Sequence, residues 1–210
     1  MAVDIERHFD VTQRSKHDTV ETGELRLLHC RGRGDLGTRA AWVELPRESR
    51  PSRPIVDSSG RQELPGRVVA IADGDTITIL DSANTQHRIR LAGIDAPESH
   101  QAFGEQSRLS LSEMIFGKEV SVRYQKVDQY GRLVGKISLD GKDINLEQIK
   151  AGMAWHYKFY EDEQTPEDRE LYARAEAEAR AARRGLWQDP NPTEPYQFRK
   201  EEKRERRDAR

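Results

Sequence analysis

Between Gly66 and Leu139 the sequence holds five short stretches that each favour extended backbone, and no other feature constrains the fold as tightly. The first two, residues 67–72 and 76–80, are rich in β-branched side chains and flank Asp73-Gly74-Asp75, so they read as a hairpin. In the third, residues 86–92, side chains alternate between faces: Ile89 and Leu91 share one, Arg88 and Arg90 the other, which holds Arg90 out of the core. The fourth alternates Val120, Val122 and Tyr124 with polar residues. After a turn over 128–131, the fifth alternates Leu133, Gly135, Ile137 and Leu139. A helical stretch over 104–116 separates the third from the fourth, with Leu109, Ile115 and Phe116 among its apolar positions and Gly117 as its left-handed stop. Five short strands with a helix in that place predict a mainly β, α+β fold: a five-stranded Greek-key barrel of the OB-fold type with about three helices.

The rest of the chain reads as helix and extension. Asn145 is placed to cap a short helix over 146–151 that Gly152 ends. Thr165-Pro166-Glu167-Asp168 supplies a cap, a first-turn proline and acids for a longer helix, and Arg180, Arg183 and Arg184 suit its C-terminal end. Gly185 closes that helix, Leu186 and Trp187 are placed to pack it on the barrel, and Pro190, Pro192 and Pro195 mark an extended exit. Residues 1–60 show no sustained period and finish in a run of prolines, serines and Gly60. The organisation expected is a flexible N-terminal extension over 1–62, a barrel domain over 63–190 and a charged C-terminal tail over 191–210, solvated or a frayed helix.

Charge and cysteine content exclude several classes. With 34% charged residues, no window approaches the roughly 18 uncharged apolar residues of a membrane span, so no membrane partner is expected. The single cysteine, Cys30, provides neither an internal disulfide nor a cysteine zinc cluster. Asp4, Glu6, Arg7, Asp10, Arg14 and Lys16 interrupt any secretory signal in the sequence as written, so a cytoplasmic location is expected unless the start codon lies elsewhere. Net charge is −2, and although residues 199–210 carry seven basic against four acidic side chains, residues 61–198 carry 18 against 23. Overall basicity therefore does not announce nucleic acid, and function must rest on a locally concentrated site.

Such a site is suggested by the polar residues at strand ends: Asp75, Arg90, Asp95, Glu98 and Arg132. Each alone suits an ordinary turn or a solvated strand. Together, Asp73-Gly-Asp-Thr76, Arg90-Leu-Ala-Gly-Ile-Asp-Ala-Pro-Glu98 and Asp128-Gln-Tyr-Gly-Arg132 resemble the staphylococcal nuclease-like, or thermonuclease, family, over residues 66–187. The resemblance implies the same barrel and a calcium-dependent endonuclease that hydrolyses phosphodiester bonds of DNA and RNA by metal-assisted attack of water on phosphate; a monomer is expected.

Asp75 and Asp95 are hard oxygen donors suited to Ca2+ or Mg2+. The resemblance adds the backbone carbonyl of Ala96 to the metal shell, makes Glu98 the residue that orients or deprotonates water, and gives the phosphate to Arg90 and Arg132. Arginine suits that task because its planar fork holds two phosphate oxygens at once. Tyr130, Tyr157 and Tyr160 are the candidate base-stacking rings, whereas Trp155 and Phe159 are assigned to the core. Two departures from the family pattern bear on affinity. Ala96 stands where the best-known member has threonine, and Gln129 stands where a lysine precedes the tyrosine of the turn, which removes one phosphate-binding charge. The alternative is a catalytically inactive OB-fold module that binds nucleic acid or protein; in such modules the carboxylates and arginines of the site are typically lost, whereas all five are present here.

Overall fold

A computed structural model describes Ile55, Val56 and residues 61–209. These lie within residues 46–210, the second of the two units into which the chain divides. The readings of residues 1–54 and 57–60, Cys30 included, fall outside the described residues.

The barrel is built from β2 (Gln62–Asp73), β3 (Thr76–Leu80), β4 (Gln86–Leu91), β6 (Glu119–Val127) and β7 (Leu133–Leu139), numbered with the short β1 (Ile55–Val56), β5 (Ile94–Asp95), β8 (Lys142–Asp143) and β9 (Trp155–His156). Neighbours run β2, β3, β4, β7, β6, and β6 pairs back onto β2, which closes the sheet. One strand makes closure possible by serving two partners. Residues Gln62 to Arg67 of β2 pair with β6, and Arg67 to Asp73 pair with β3. The β4–β7 pairing, with Arg90 opposite Val134, is parallel, and the other barrel pairings are antiparallel. A closed sheet leaves no edge to pair with other chains. Each of the five stretches read as extended falls on a barrel strand, although β2 starts at Gln62, ahead of the stretch over 67–72.

Inward side chains fill the barrel: Val68, Ile77, Ile79, Ile89, Leu91, Val122 and Ile137 are buried, and Leu111 and Ile115 of helix α1 (Gly104–Ile115) join the same core. Burying each such side chain contributes roughly 1.5–3 kcal/mol relative to exposure. The buried stripe of α1 runs through Gly104, Ser107, Leu111 and Ile115, so Leu109, about 200° around from Ser107, faces solvent, and Phe116 is also exposed, at the extended C-cap. The stripe includes a polar residue because the Ser107 hydroxyl donates to the Met153 carbonyl at 2.6 Å.

Helix α2 (Ile144–Lys150) is capped by Asp143, whose side chain accepts from the Leu146 N–H at 3.1 Å. This corrects the expectation for Asn145. That residue is fully buried: its amide nitrogen donates to the carbonyls of Ala92 and Gly135, and its oxygen accepts from Ile137 N–H. It fastens backbone beyond its own helix instead of capping it. Helix α3 (Pro166–Ala181) begins as expected, with Thr165 accepting from Asp168 N–H at 3.1 Å. After it, Leu186 and Trp187 are buried with Trp155, the two indoles meeting edge-on at 4.3 Å. The last element, α4 (Pro195–Asp208), is a 14-residue helix that starts on Pro195. Among the described residues no helix is long and apolar enough to cross a membrane.

Candidate active site

Three segments meet at one rim of the barrel. The first is the β2–β3 turn, where Asp73 accepts from the Asp75 N–H at 3.0 Å and fixes the turn. Gly74 must be glycine because a Cβ there would lie 1.8 Å from the Ser107 hydroxyl oxygen and 2.8 Å from the Ala96 Cβ. Gln148 of α2 pins the turn, its amide nitrogen donating to the carbonyls of Gly74 at 2.9 Å and Ser107 at 3.1 Å. Asp75 is thereby held 5% exposed, with its carboxylate accepting from Thr76 Oγ1 at 3.1 Å and from Ala96 N–H at 2.7 Å.

The second segment is β4 with the residues that follow it. Arg90 lies opposite Thr76 across the β3–β4 pair, which points its guanidinium at the turn. It forms ion pairs with Asp75 and Asp95, the latter at 2.8 Å. Asp95, 2% exposed, is fixed by β5, which pairs with β9 in a separate two-stranded ladder. Burial pulls the Arg90 pKa down, against the fields of Asp95 and Asp73 that hold it up. Burial likewise pushes the Asp73 carboxyl up, opposed by Arg90. Glu98 follows on the loop to α1, its backbone N–H donating to Gln101 Oε1. Gly104 lets the helix start against that loop, since a Cβ there would lie 2.0 Å from the Glu98 carbonyl oxygen.

The third segment is the β6–β7 turn. Asp128 accepts from the backbone N–H groups of Tyr130 and Arg132 and from Arg132 Nε at 2.7 Å, and Arg132 Nη1 reaches Thr76 Oγ1 at 3.5 Å. Asp75, Arg90, Asp95, Ala96 and Arg132 are thus connected by direct bonds or through Thr76. Glu98 joins them through a residue the sequence did not suggest. Arg199 of α4 donates from Nη1 to Asp95 Oδ1 at 3.1 Å and to Glu98 Oε1 at 2.7 Å, and from Nη2 to Asp95 Oδ2 at 2.9 Å. Burial lowers the Arg199 pKa, but hydrogen bonds to the two carboxylates outweigh it and hold the group above the ordinary arginine range. Arg199 stands 104 residues from Asp95, so no local pattern joins them.

The aromatic candidates divide. Tyr130 is 70% exposed, with the Arg132 guanidinium 5.3 Å from its ring centroid. Tyr157 is half-buried, and burial together with the Asp95 charge pushes its phenol up. Tyr160 meets Tyr157 edge-on at 5.4 Å and carries Lys126 over its ring. Trp155 is buried as expected, but Phe159 is 69% exposed, which corrects its assignment to the core. The reason is local: residues Lys158–Glu163 form a 3-10 turn that buries none of its side chains.

The donor set suits a hard divalent cation. Asp75, Asp95 and Glu98 carry three negative charges, against which Arg90 is the one guanidinium buried among them. A surplus of carboxylate oxygen, buried at Asp75 and Asp95 and partly exposed at Glu98, draws in positive charge, and Arg199 pairs with two of the three. Among the described residues no group of three or more His, Cys, Asp and Glu side chains stands assembled around a metal position. Asp75, Asp95 and the Ala96 carbonyl would therefore leave most of the shell to water and substrate oxygen.

A closed barrel that gathers carboxylates and guanidiniums on one rim is equipped for chemistry on a charged ester. Comparison with known proteins agrees. The family model described as staphylococcal nuclease homologue matches residues 88–189. An uncharacterized endonuclease of Haemophilus influenzae is 40% identical over 149 residues, 71% of this chain and 80% of the relative. A micrococcal nuclease of Shigella flexneri is 41% identical over 158 residues, 71% of this chain and 88% of the relative. The chain belongs to the staphylococcal nuclease family, and it is a nuclease, a phosphodiester hydrolase.

Proposed function

We propose that this nuclease is a calcium-dependent endonuclease that hydrolyses phosphodiester bonds of both DNA and RNA. The observation that carries the reading is the joining of Asp75, Arg90, Asp95, Glu98 and Arg132 at one rim of the barrel, from three segments distant in sequence.

Asp75, Asp95 and the Ala96 carbonyl would hold the cation, which supplies Lewis-acid polarisation of a phosphate oxygen. Glu98 orients the attacking water and takes its proton, for which it needs to lie about 2.6–3.2 Å from that water or one water removed. As water adds, a phosphodiester gains negative charge on its non-bridging oxygens. Arg132, oriented by Asp128 through Nε, offers its Nη groups to that charge. Arg90 contributes a buried positive charge that also fixes the directions of Asp75 and Asp95. Tyr130, Tyr157 and Tyr160 would stack bases, a contact that every base can make and that distinguishes neither DNA from RNA nor one sequence from another. The monomer suffices for this reading, since every group named comes from one chain.

Release of acid-soluble nucleotide from heat-denatured DNA and from RNA tests the proposal. Cleavage of both with millimolar calcium, abolished by a calcium chelator, is the expected result. Equal cleavage in the chelator would overturn the metal requirement, and cleavage of only one polymer would overturn the broad sugar tolerance.

A further inference from the structure

Helix α4 lies over the proposed site and holds it at three points. Arg199 spans Asp95 and Glu98, the Tyr196 ring stacks on Phe159 at 6.2 Å, and Phe198 packs on His100 at 5.1 Å. The segment before the helix adds a fourth contact, Gln101 Nε2 donating to the Thr193 carbonyl at 2.7 Å, and Glu202 bonds His100 at 3.2 Å. A cleft of about 150 Å³ remains between Phe198 and the wall formed by Pro97, Gln101, Phe103 and Trp155.

We propose that α4 is an intramolecular latch, in which the Arg199 guanidinium occupies Asp95 and Glu98 in competition with the divalent cation and the attacking water. The proposal rests on the metal-dependent reading above and adds its regulation. Both Asp95 oxygens already accept from Arg199, and Oδ1 accepts from Arg90 as well. Three of the roughly four acceptor positions of the Asp95 carboxylate are thus taken, and the Arg199 charge repels a cation beside them, so the latched chain disfavours the cation that the open chain accepts. Glu98 is occupied in part: Arg199 takes its Oε1 at 2.7 Å, a position the attacking water would otherwise use. Tyr196, stacked on Phe159, covers part of the aromatic surface beside Tyr157 and Tyr160.

The latch is built to open. Pro195 is the only residue of α4 that is buried, and Arg199 itself keeps 38% of its side chain exposed. A helix held by a few partly exposed contacts opens at small free-energy cost. Its charge favours release by anionic substrate too, because residues 199–210 carry seven basic side chains against four acidic ones. The calcium affinity of the intact chain is then the affinity of the open form reduced by the fraction of chains that are open.

Calorimetric titration of calcium into the full chain, Arg199→Gln and the double variant Tyr196→Ala/Phe198→Ala tests this. A latch predicts binding tightened about tenfold by Arg199→Gln, and tightened also by the aromatic pair, which leaves every charge in place. That second variant separates unlatching from the loss of one positive charge beside the cation. Amide hydrogen exchange gives an independent reading: calcium should accelerate exchange over residues 195–208 in the wild type. Unchanged affinity in the aromatic variant, with exchange of α4 indifferent to calcium, would overturn the latch while leaving the calcium-dependent reading intact. No heat of calcium binding in any of the three proteins would overturn both.

Discussion

Among the described residues, the Glu98 carboxylate hydrogen-bonds only to Arg199, whereas Asp75 and Asp95 are tied into the barrel through Arg90, Thr76 and the Ala96 backbone. That asymmetry separates a group that the release of one helix contact frees for proton transfer from groups that hold position. Glu98→Gln keeps the shape and loses the base, so turnover should fall by about 10²- to 10⁴-fold with the fold retained. Undiminished turnover in that variant would remove Glu98 from the reaction. Arg132→Lys is the corresponding test of the fork: a point charge replaces two oriented N–H groups and the Nε bond to Asp128, and kcat should fall by about 10²-fold or more. Full activity in the lysine variant would mean that charge alone is used there. These residues were legible because motif spacing sets them at strand ends, where alternation and tight turns fix direction. Arg199 was not, because the contact that matters is made by a helix distant in sequence, and a basic run by itself reads as solvated.

At the level of elements, long alternating strands announce themselves and two-residue strands do not. β5 and β9 carry no period, yet their pairing is what orients Asp95. Helix ends were legible where the side chain serves its own helix, as at Thr165, and misread where it serves another element, as at Asn145. Asp143 shows how much one end can join. It caps α2, accepts from the Tyr172 hydroxyl of α3 at 2.9 Å and pairs with Lys136 of β7 at 3.2 Å. Asp143→Ala removes the cap and leaves the Tyr172 hydroxyl without its acceptor, so urea denaturation should show a loss of about 2–4 kcal/mol. Burial, with the Asp143 charge behind it, pushes the Tyr172 phenol far above its ordinary value. A group raised in the folded state favours folding below its unfolded pKa of about 10, and that contribution is lost as pH climbs above it, because only the unfolded chain ionises readily. The urea midpoint should therefore drop between pH 9 and pH 11, and Tyr172→Phe should flatten part of that drop. An equally steep decline in the phenylalanine variant would assign the alkaline limb to other groups.

At the scale of the whole molecule, the barrel and the last helix contribute to stability by different routes. The barrel holds through a buried apolar core, while α4 is attached through Arg199, the Glu202–His100 contact, two aromatic contacts and one buried proline. Removing residues 191–210 should leave a cooperatively folded domain, losing about 1–2 kcal/mol and therefore under about 8 °C in melting temperature for a chain of this size. The sign of the calcium effect carries more information. Without calcium, α4 neutralises part of the carboxylate surplus, so the shortened chain should melt lower than the full one. With saturating calcium the cation takes over that role and α4 is displaced, so the two melting temperatures should converge. Thermodynamic reciprocity requires the same coupling to appear as tighter calcium binding by the shortened chain. Scanning calorimetry of both chains, with calcium and with chelator, reads both halves of that cycle. A constant difference between the chains in the two conditions would show that α4 and the cation do not communicate, and that Arg199 serves the barrel only as a structural ion pair.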